Sequence, residues 1–170
     1  MGIKLPQTIT EEEFVKVIKK VRKNHHKAAF ILGFYQGLRV SEVINLKPEN
    51  IRFNEHIIEI KQAKGKKDRH IPIVKPLLMG EQTVIRALRR VPITCSIRAL
   101  QISFKGYVNK VLKRDLHFHT LRHGSATWLL NKKKWDSRQV QRFLGHSRLE
   151  TVQIYTHVSP QDLVDLEWDT

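Results

Sequence analysis

The sequence predicts an α+β fold that is mainly α-helical, with a small three-stranded antiparallel sheet near the N-terminal third. Three observations predict this fold class. Helix caps and apolar residues at helical spacing occupy residues 10–47. The pattern changes to short β-type runs between residues 51 and 74. Helical spacing returns after residue 76, and a chain of 170 residues with these elements is expected to form one domain over residues 1–170.

Three helices are predicted before the sheet. The segment that begins Thr10-Glu-Glu-Glu is a capping box, which opens an amphipathic helix. A second, strongly apolar helix is predicted from about His26 to Gln36, and Gly37 is expected to end it. Ser41 is predicted to cap a short third helix, which Pro48 closes.

The sheet and the later helices follow from the changes of period. Strands are predicted at residues 51–53, 56–60 and 70–74, with turns at 54–55 and 63–68. Because Pro72 has no N–H to donate, the third strand is expected at an edge. The later helices are predicted over residues 77–91, 96–114, 119–131 and 137–144, with a short one after residue 160.

The composition points to a polyanionic partner. Lys and Arg number 31 against 16 Asp and Glu, a formal net charge of +15, and nucleic acid is the first candidate. The single cysteine, Cys95, excludes a disulfide framework and a cysteine-based zinc site. The longest apolar run, residues 28–34, is too short to span a bilayer, and no signal peptide opens the chain. An intracellular, cytoplasmic protein is therefore expected.

Charged clusters in the first half of the chain are candidates for binding phosphate. Arg39 follows a predicted helix end, where its guanidinium can point into a cleft, and Glu42 is close enough to orient it. A surface Arg–Glu pair contributing under about 1 kcal/mol is the alternative. Lys64 lies at the predicted hairpin tip, although basic tips are often only solvated or phosphate-contacting loops. Further predicted DNA-binding residues are Lys61, Lys66, Lys67, Arg69, Arg86, Arg89 and Arg90.

The second half of the chain carries a histidine–arginine pair. His119 and Arg122 are predicted to project from one face of a helix start, where free N–H groups favour anions. This arrangement suits phosphate binding. A metal site formed by His117, His119 and His123 is an alternative, and His123 is interpreted instead as a buried histidine with a structural role.

The last candidates are His146 and Tyr155. A tyrosine hydroxyl has an unperturbed pKa of about 10, so it becomes a useful nucleophile only beside a base or a strong positive field. Taken alone, Tyr155 would be interpreted as a half-buried core residue. The cationic residues elsewhere in the chain favour a nucleophile.

Together these segments resemble the tyrosine recombinases, which include phage-type integrases and Xer-like recombinases. Gly37-Leu-Arg-Val-Ser-Glu42 is similar to the family's first arginine box, and His119-Thr-Leu-Arg-His123 is similar to its His-x-Leu-Arg-His box. Leu144-Gly-His-Ser147 with Tyr155-Thr-His157 is similar to the last box, and Lys64 lies where the family has its hairpin lysine. The resemblance covers the chain from about residue 10 to its end.

The resemblance implies a site-specific recombinase that cleaves and rejoins DNA. Tyr155 would attack a phosphodiester, forming a 3′-phosphotyrosyl bond and releasing a 5′-hydroxyl. Arg39, Arg122 and His146 would contact the non-bridging oxygens, and Lys64 would protonate the leaving 5′-oxygen. No metal, cofactor or ATP is implied, because the cationic side chains stabilise the developing charge.

The resemblance also implies roles for supporting residues, and the sequence differs from the family pattern at some points. His119 would assist proton removal from the tyrosine, Glu42 would hold the first arginine, and His123 would support the site. We expect the family's N-terminal core-binding domain to be absent from this sequence, which would then be either a fragment or a stand-alone protein. The interval between Lys64 and the second box is short for the family. Gly124 stands where the family often has threonine.

The acidic tail after residue 158 has two interpretations. Its apolar residues Leu163, Leu166 and Trp168 could cover the domain's own core. The resemblance implies instead that the tail packs into a neighbouring subunit, so self-association on double-stranded DNA is expected. Two other functions stay open: a type IB topoisomerase, which shares this chemistry, and a DNA-binding protein without catalysis.

Overall fold

The computed structural model describes residues 7–62, 67–145 and 160–168. Within these ranges the protein has eight α-helices and one three-stranded antiparallel sheet, which confirms the predicted fold class. The helices are α1 (Glu11–Ile18), α2 (Asn24–Tyr35), α3 (Val40–Asn45), α4 (Gln82–Arg89), α5 (Ile97–Leu112), α6 (His119–Asn131), α7 (Ser137–Leu144) and α8 (Pro160–Trp168). The strands are β1 (Ile51–Arg52), β2 (Ile57–Ile60) and β3 (Arg69–Pro72).

Helix α2 lies at the centre of the core. Its residues from 28 to 35 are buried on every side, as expected for a helix without a polar face, and it contacts α1, α3, α4, α5 and α6. The Phe14 and Phe34 rings stack at 4.5 Å. Gly37 follows the helix with φ of 61°, a left-handed conformation that favours glycine. The backbone therefore has a defined conformation at Gly37, two residues before Arg39.

Most helix boundaries agree with the local sequence signals, and two predictions are wrong. The α1 capping box is present, and the bounds of α6 and α7 match. Ser41 does not cap α3, because that helix begins at Val40 and its N-cap is Arg39. Helix α4 is shorter than predicted, since the N–H groups of Leu77 and Leu78 donate to the buried Glu11 and hold that segment outside the helix.

The sheet has β2 in the middle, paired with β1 and β3. Ile58 lies opposite Ile51 on one side and Ile71 on the other. The edge position predicted for the third strand is confirmed in the described part of the sheet. Strand β3 begins at Arg69 and lies against α8 and α7. It therefore joins the sheet to these two helices.

Helix α8 packs against the sheet of its own chain. Leu163 is fully buried in the core, and the Trp168 indole N–H donates to the carbonyl oxygen of Ile73 at 2.8 Å. The Trp168 ring also stacks on His56 at 3.7 Å, while Leu166 stays exposed. In this single chain the tail thus covers its own domain. No helix within the described ranges is long and apolar enough to cross a membrane.

Candidate active site

Arg39 and Glu42 line a cleft beside α3. The Arg39 guanidinium donates to Glu42 Oε1 at 3.0 Å, and the Arg39 backbone N–H donates to Glu42 Oε2 at 2.8 Å. The Arg39 side chain is 39% exposed, whereas that of Glu42 is 7% exposed. A cavity of about 1060 Å³ opens next to this pair. The contact is therefore not a surface ion pair, because a buried carboxylate holds a guanidinium that faces the cleft.

Arg69 is buried inside the domain and not exposed at a DNA-binding surface. It was expected to contact DNA, and this prediction is wrong because the residue is only 6% exposed. Nη1 and Nη2 donate to the two Glu42 oxygens at 2.8 and 3.2 Å, and Nε donates to the carbonyl oxygen of Phe143 at 3.1 Å. The strand period contained the missed signal, since it puts Arg69 on the same face as the buried Ile71 and Ile73.

The charge state of Glu42 follows from these contacts. Burial alone would raise the pKa of Glu42, but the hydrogen bonds and charge of Arg69, with the backbone N–H of Arg39, outweigh burial. They hold this pKa below its usual value. Glu42 is thus an ionised counter-ion at neutral pH, bound to the guanidiniums of Arg39 and Arg69.

Arg122 is held between the ends of two helices. It is 2% exposed, and its guanidinium donates to the carbonyl oxygens of Gly37, at 2.9 Å, and Leu144. Burial first, and then the positive charge of Arg39, lower the pKa of Arg122 to about 10, so it remains charged at neutral pH. A guanidinium has five N–H donors. The carbonyl contacts orient Arg122 and leave further donors for a bound anion.

His119 and His123 lie one helical turn apart at the start of α6. Their rings are perpendicular with centroids 4.7 Å apart, and both residues are exposed. The prediction that His123 is buried is therefore wrong. Partial burial of the ring, followed by the charges of His123 and Arg122, lowers the pKa of His119. Among the described residues, no group of three or more His, Cys, Asp or Glu could hold a metal ion, so His117 does not complete a metal site there.

The remaining predicted DNA-binding residues lie at the surface where the structure describes them. Lys61 pairs with Glu59 at 2.7 Å and Asp68 at 3.0 Å. Lys67 is exposed, as are the three arginines at the end of α4. Those arginines are Arg86, Arg89 and Arg90. Four predicted site residues lie outside the described residues: Lys64, Lys66, His146 and Tyr155.

Gly124 has a packing explanation. A Cβ at this position would lie 2.7 Å from the carbonyl oxygen of Ile9 and 2.9 Å from a methyl carbon of the same residue. Helix α6 therefore approaches the segment before α1 more closely than threonine would allow. The departure concerns the packing of the helix that carries Arg122.

Comparison with known proteins identifies the family. The chain matches the phage integrase family over residues 7–162. It is 35% identical to the tyrosine recombinase XerA of Pyrococcus furiosus, over 94% of this chain and 60% of that protein. A crystal structure of XerA recombinase superposes with a TM-score of 0.70 at 26% identity, over 95% of this chain and 64% of the other.

A DNA-bound structure shares the fold as well. A lambda integrase dimer bound to a COC′ core site gives a TM-score of 0.68 at 19% identity, over 88% of this chain and 62% of that chain. The chain spans about 60% of the length of the curated relatives that it matches.

Proposed function

The chain belongs to the phage integrase family, and we propose that it catalyses site-specific DNA recombination through a 3′-phosphotyrosyl intermediate. The observation that carries this proposal is the convergence of Arg39, Arg122 and His119, which lie close enough for their charges to act on one another. They come from α3 and α6, and buried groups hold both guanidiniums in place. Guanidiniums suit this task because they stay charged and bind phosphate through a planar fork.

The reaction that we propose begins with the tyrosine. The Tyr155 oxygen forms a bond to phosphorus, its proton passes to His119, and the bond from phosphorus to the 5′-oxygen breaks. Lys64 gives a proton to that oxygen, which leaves as a 5′-hydroxyl. Attack by a 5′-hydroxyl on the phosphotyrosine reverses these steps and rejoins the strands. The lowered pKa of His119 suits this role, since it keeps the ring neutral and able to accept a proton near pH 7.

The cations stabilise the charge that grows on the phosphate. In the proposal Arg39, Arg122 and His146 contact its non-bridging oxygens, and removal of one such preorganised donor typically lowers a rate by about 10²–10³-fold. Glu42 holds Arg39, and the exposed His123 supports His119 from the next helical turn.

Binding to duplex DNA is part of the same proposal. Lys61, Lys66, Lys67 and the three exposed α4 arginines would contact phosphates, so affinity should fall steeply with salt. Self-association on DNA through Leu163, Leu166 and Trp168 would require α8 to leave the sheet that it covers here. Activity on chromosomal DNA would place the protein at the nucleoid in the cytoplasm.

The test is capture of the covalent intermediate. The chain is incubated with a library of nicked duplexes with randomised core sequences, in which the cleaved fragment is lost and the adduct accumulates. Wild type should form an adduct that survives denaturation, and Tyr155→Phe should bind DNA and form none. An adduct in Tyr155→Phe, or none in wild type, would contradict the proposal.

One structural observation and one further measurement sharpen that test. Tyr35 is a poor rival nucleophile, because it is fully buried and its hydroxyl donates to Glu11 at 2.9 Å. Burial first, and then Glu11, also raise the pKa of Tyr35 well above its usual range. Strand exchange between two duplexes would distinguish a recombinase from a type IB topoisomerase, which relaxes supercoiled DNA without exchange.

A further inference from the structure

We propose that Arg69 is a positioning residue of the active site, which fixes Glu42 and the C-terminal end of α7 relative to each other. Through Glu42 it would set the direction of Arg39. Through the Phe143 carbonyl oxygen it would hold the end of α7, whose next carbonyl, that of Leu144, accepts from Arg122. What the positioned groups do rests on the function proposed above, whereas the positioning itself is a statement about geometry.

Each nitrogen of the Arg69 guanidinium donates to a group inside the domain. The two Nη atoms reach both oxygens of Glu42, and Nε reaches the Phe143 carbonyl oxygen. A planar fork can satisfy a carboxylate and a carbonyl in fixed directions at the same time. A lysine ammonium carries equal charge but has no such fork. The contacts therefore require an arginine and not just a cation.

Glu42 transmits the position of Arg69 to Arg39. Oε1 accepts from both guanidiniums, at 3.0 Å from Arg39 and 2.8 Å from Arg69. Oε2 accepts from the Arg39 backbone N–H at 2.8 Å and from Arg69 at 3.2 Å. Without Arg69 the buried carboxylate would lose its hydrogen bonds on one side and could rotate. The Arg39 guanidinium would then move with the carboxylate and would no longer be held towards the cleft.

The other contact of Arg69 is at the end of α7. Two successive carbonyls there accept from arginines, Phe143 from Arg69 and Leu144 from Arg122, and cations are favoured at a helix C-terminus. Gly145 follows with φ of 68°, and a Cβ there would lie 2.8 Å from Arg69 Cδ. Arg69 thus packs against the turn that immediately precedes His146 in the sequence.

Arg114 provides a matched control. Its Nη1 donates to both oxygens of Glu13 at 2.9 and 3.0 Å, and its Nη2 donates to the carbonyl oxygen of Thr8 at 2.8 Å. This is the same chemistry as that of Arg69, a carboxylate and a backbone carbonyl bound by one guanidinium. None of these partners is a candidate site residue. Arg114→Met should therefore affect stability without misplacing Arg39.

The first experiment compares cleavage by Arg69→Met and Arg114→Met. Single-turnover adduct formation is measured at saturating DNA, on a duplex selected from the library, and is expressed per folded molecule. Arg69→Met should be slower by about 10²-fold, the effect of roughly 1 Å of misplacement, while Arg114→Met keeps the wild-type rate. DNA affinity and its salt dependence should stay unchanged in Arg69→Met, because the residue is buried away from phosphate.

Two further variants separate positioning from charge. Arg69→Lys keeps the charge but cannot reach Glu42 and Phe143 together, so it should recover only a small part of the lost rate. Combined with Glu42→Gln, Arg69→Met should slow cleavage little beyond the slower single variant, because both changes act through one contact. Multiplicative effects of the two changes would contradict a shared route through Glu42.

A spectroscopic measurement tests the geometry without catalysis. The Arg39 guanidinium, followed by ¹⁵N NMR in the full chain, should rotate faster in Arg69→Met than in wild type and stay unchanged in Arg114→Met. Wild-type cleavage and wild-type Arg39 signals in Arg69→Met would overturn the positioning role while leaving the proposed function intact. If wild type forms no adduct, the proposed function fails, and the NMR comparison still decides whether Arg69 positions Arg39.

Discussion

Two glutamates, Glu11 and Glu42, have largely covered side chains but serve different regions of the molecule. Glu11 is 4% exposed in the core, and the Glu42 side chain is 7% exposed in the cleft. Glu11 accepts from the Tyr35 hydroxyl, the Trp128 indole N–H and the backbone N–H groups of Leu77 and Leu78. These donors are neutral, and they belong to α2, α6 and the segment before α4.

Glu42 accepts mainly from charged donors. Its oxygens are shared by the guanidiniums of Arg39 and Arg69, and the charge of Arg122 also acts on it. The difference shows that a buried carboxylate can have either of two uses. Glu11 joins structural elements of the core, whereas Glu42 orients the guanidiniums of Arg39 and Arg69. Loss of the first should harm folding, and loss of the second should harm chemistry.

The largest expected effect on stability is at Glu11. Glu11→Ala would leave several buried donors without an acceptor, and breaking such a network costs about 3–5 kcal/mol. Urea unfolding measures the loss, and the exposed neighbour Glu12 supplies the control variant Glu12→Ala, which should change stability by less than about 0.5 kcal/mol. Equal losses in the two variants would show that Glu11 does not hold the core together.

A smaller effect is expected at Gly124, on the helix that serves both regions. Helix α6 carries Trp128 of the Glu11 network and Arg122 of the cleft. Gly124→Ala would place a methyl group against the Ile9 carbonyl and should cost about 1–3 kcal/mol by overpacking.

The control for this change is Gly106→Ala, in the middle of α5. A Cβ there meets nothing within 4 Å, and alanine is the better helix former, so a gain of up to about 1 kcal/mol is expected. If close packing requires a glycine at position 124, thermal unfolding should show a lower melting temperature for Gly124→Ala and a higher one for Gly106→Ala. A loss at both positions would contradict that explanation.

The smallest expected effect is the pH dependence of Glu42. Because the pKa of Glu42 is lower in the folded than in the unfolded protein, its stabilising contribution is fully present above the unfolded value of about 4.3. The contribution is lost as the pH falls through the folded pKa. The difference in unfolding free energy between wild type and Glu42→Gln should therefore shrink as the pH drops below about 4. A difference that does not change with pH would mean that the cleft does not favour the ionised carboxylate.

The sequence correctly predicted those features that depend on residues close to one another along the chain. The Thr10 capping box, the left-handed Gly37 and the bounds of α6 all depend on residues within a few positions of one another. The boxes that contain Arg39 and Arg122 were found in the same way. His123 was misjudged although it lies one turn from His119, whose exposure it shares.

The roles of Glu11 and Arg69 depend on distant residues. Glu11 binds a backbone group 66 residues away, and Arg69 binds one 74 residues away. The sequence placed Glu11 only within the capping-box segment and predicted Arg69 as a DNA-binding residue. No residue close to either one in the sequence indicates which distant groups it contacts. Only the packing of α1, α6, α7 and the sheet brings their partners together.

The most direct test of this account is the rate of adduct formation in two matched variants, Glu11→Gln and Glu42→Gln. Both lose a buried negative charge at nearly constant shape, and the rate per folded molecule is measured on one trapped substrate. We expect Glu11→Gln to lose stability but keep the wild-type rate, and Glu42→Gln to cleave about 10²-fold more slowly, as for a misplaced catalytic group. Equal rates in the two variants would contradict the division between a carboxylate that holds the fold and one that aims the cations.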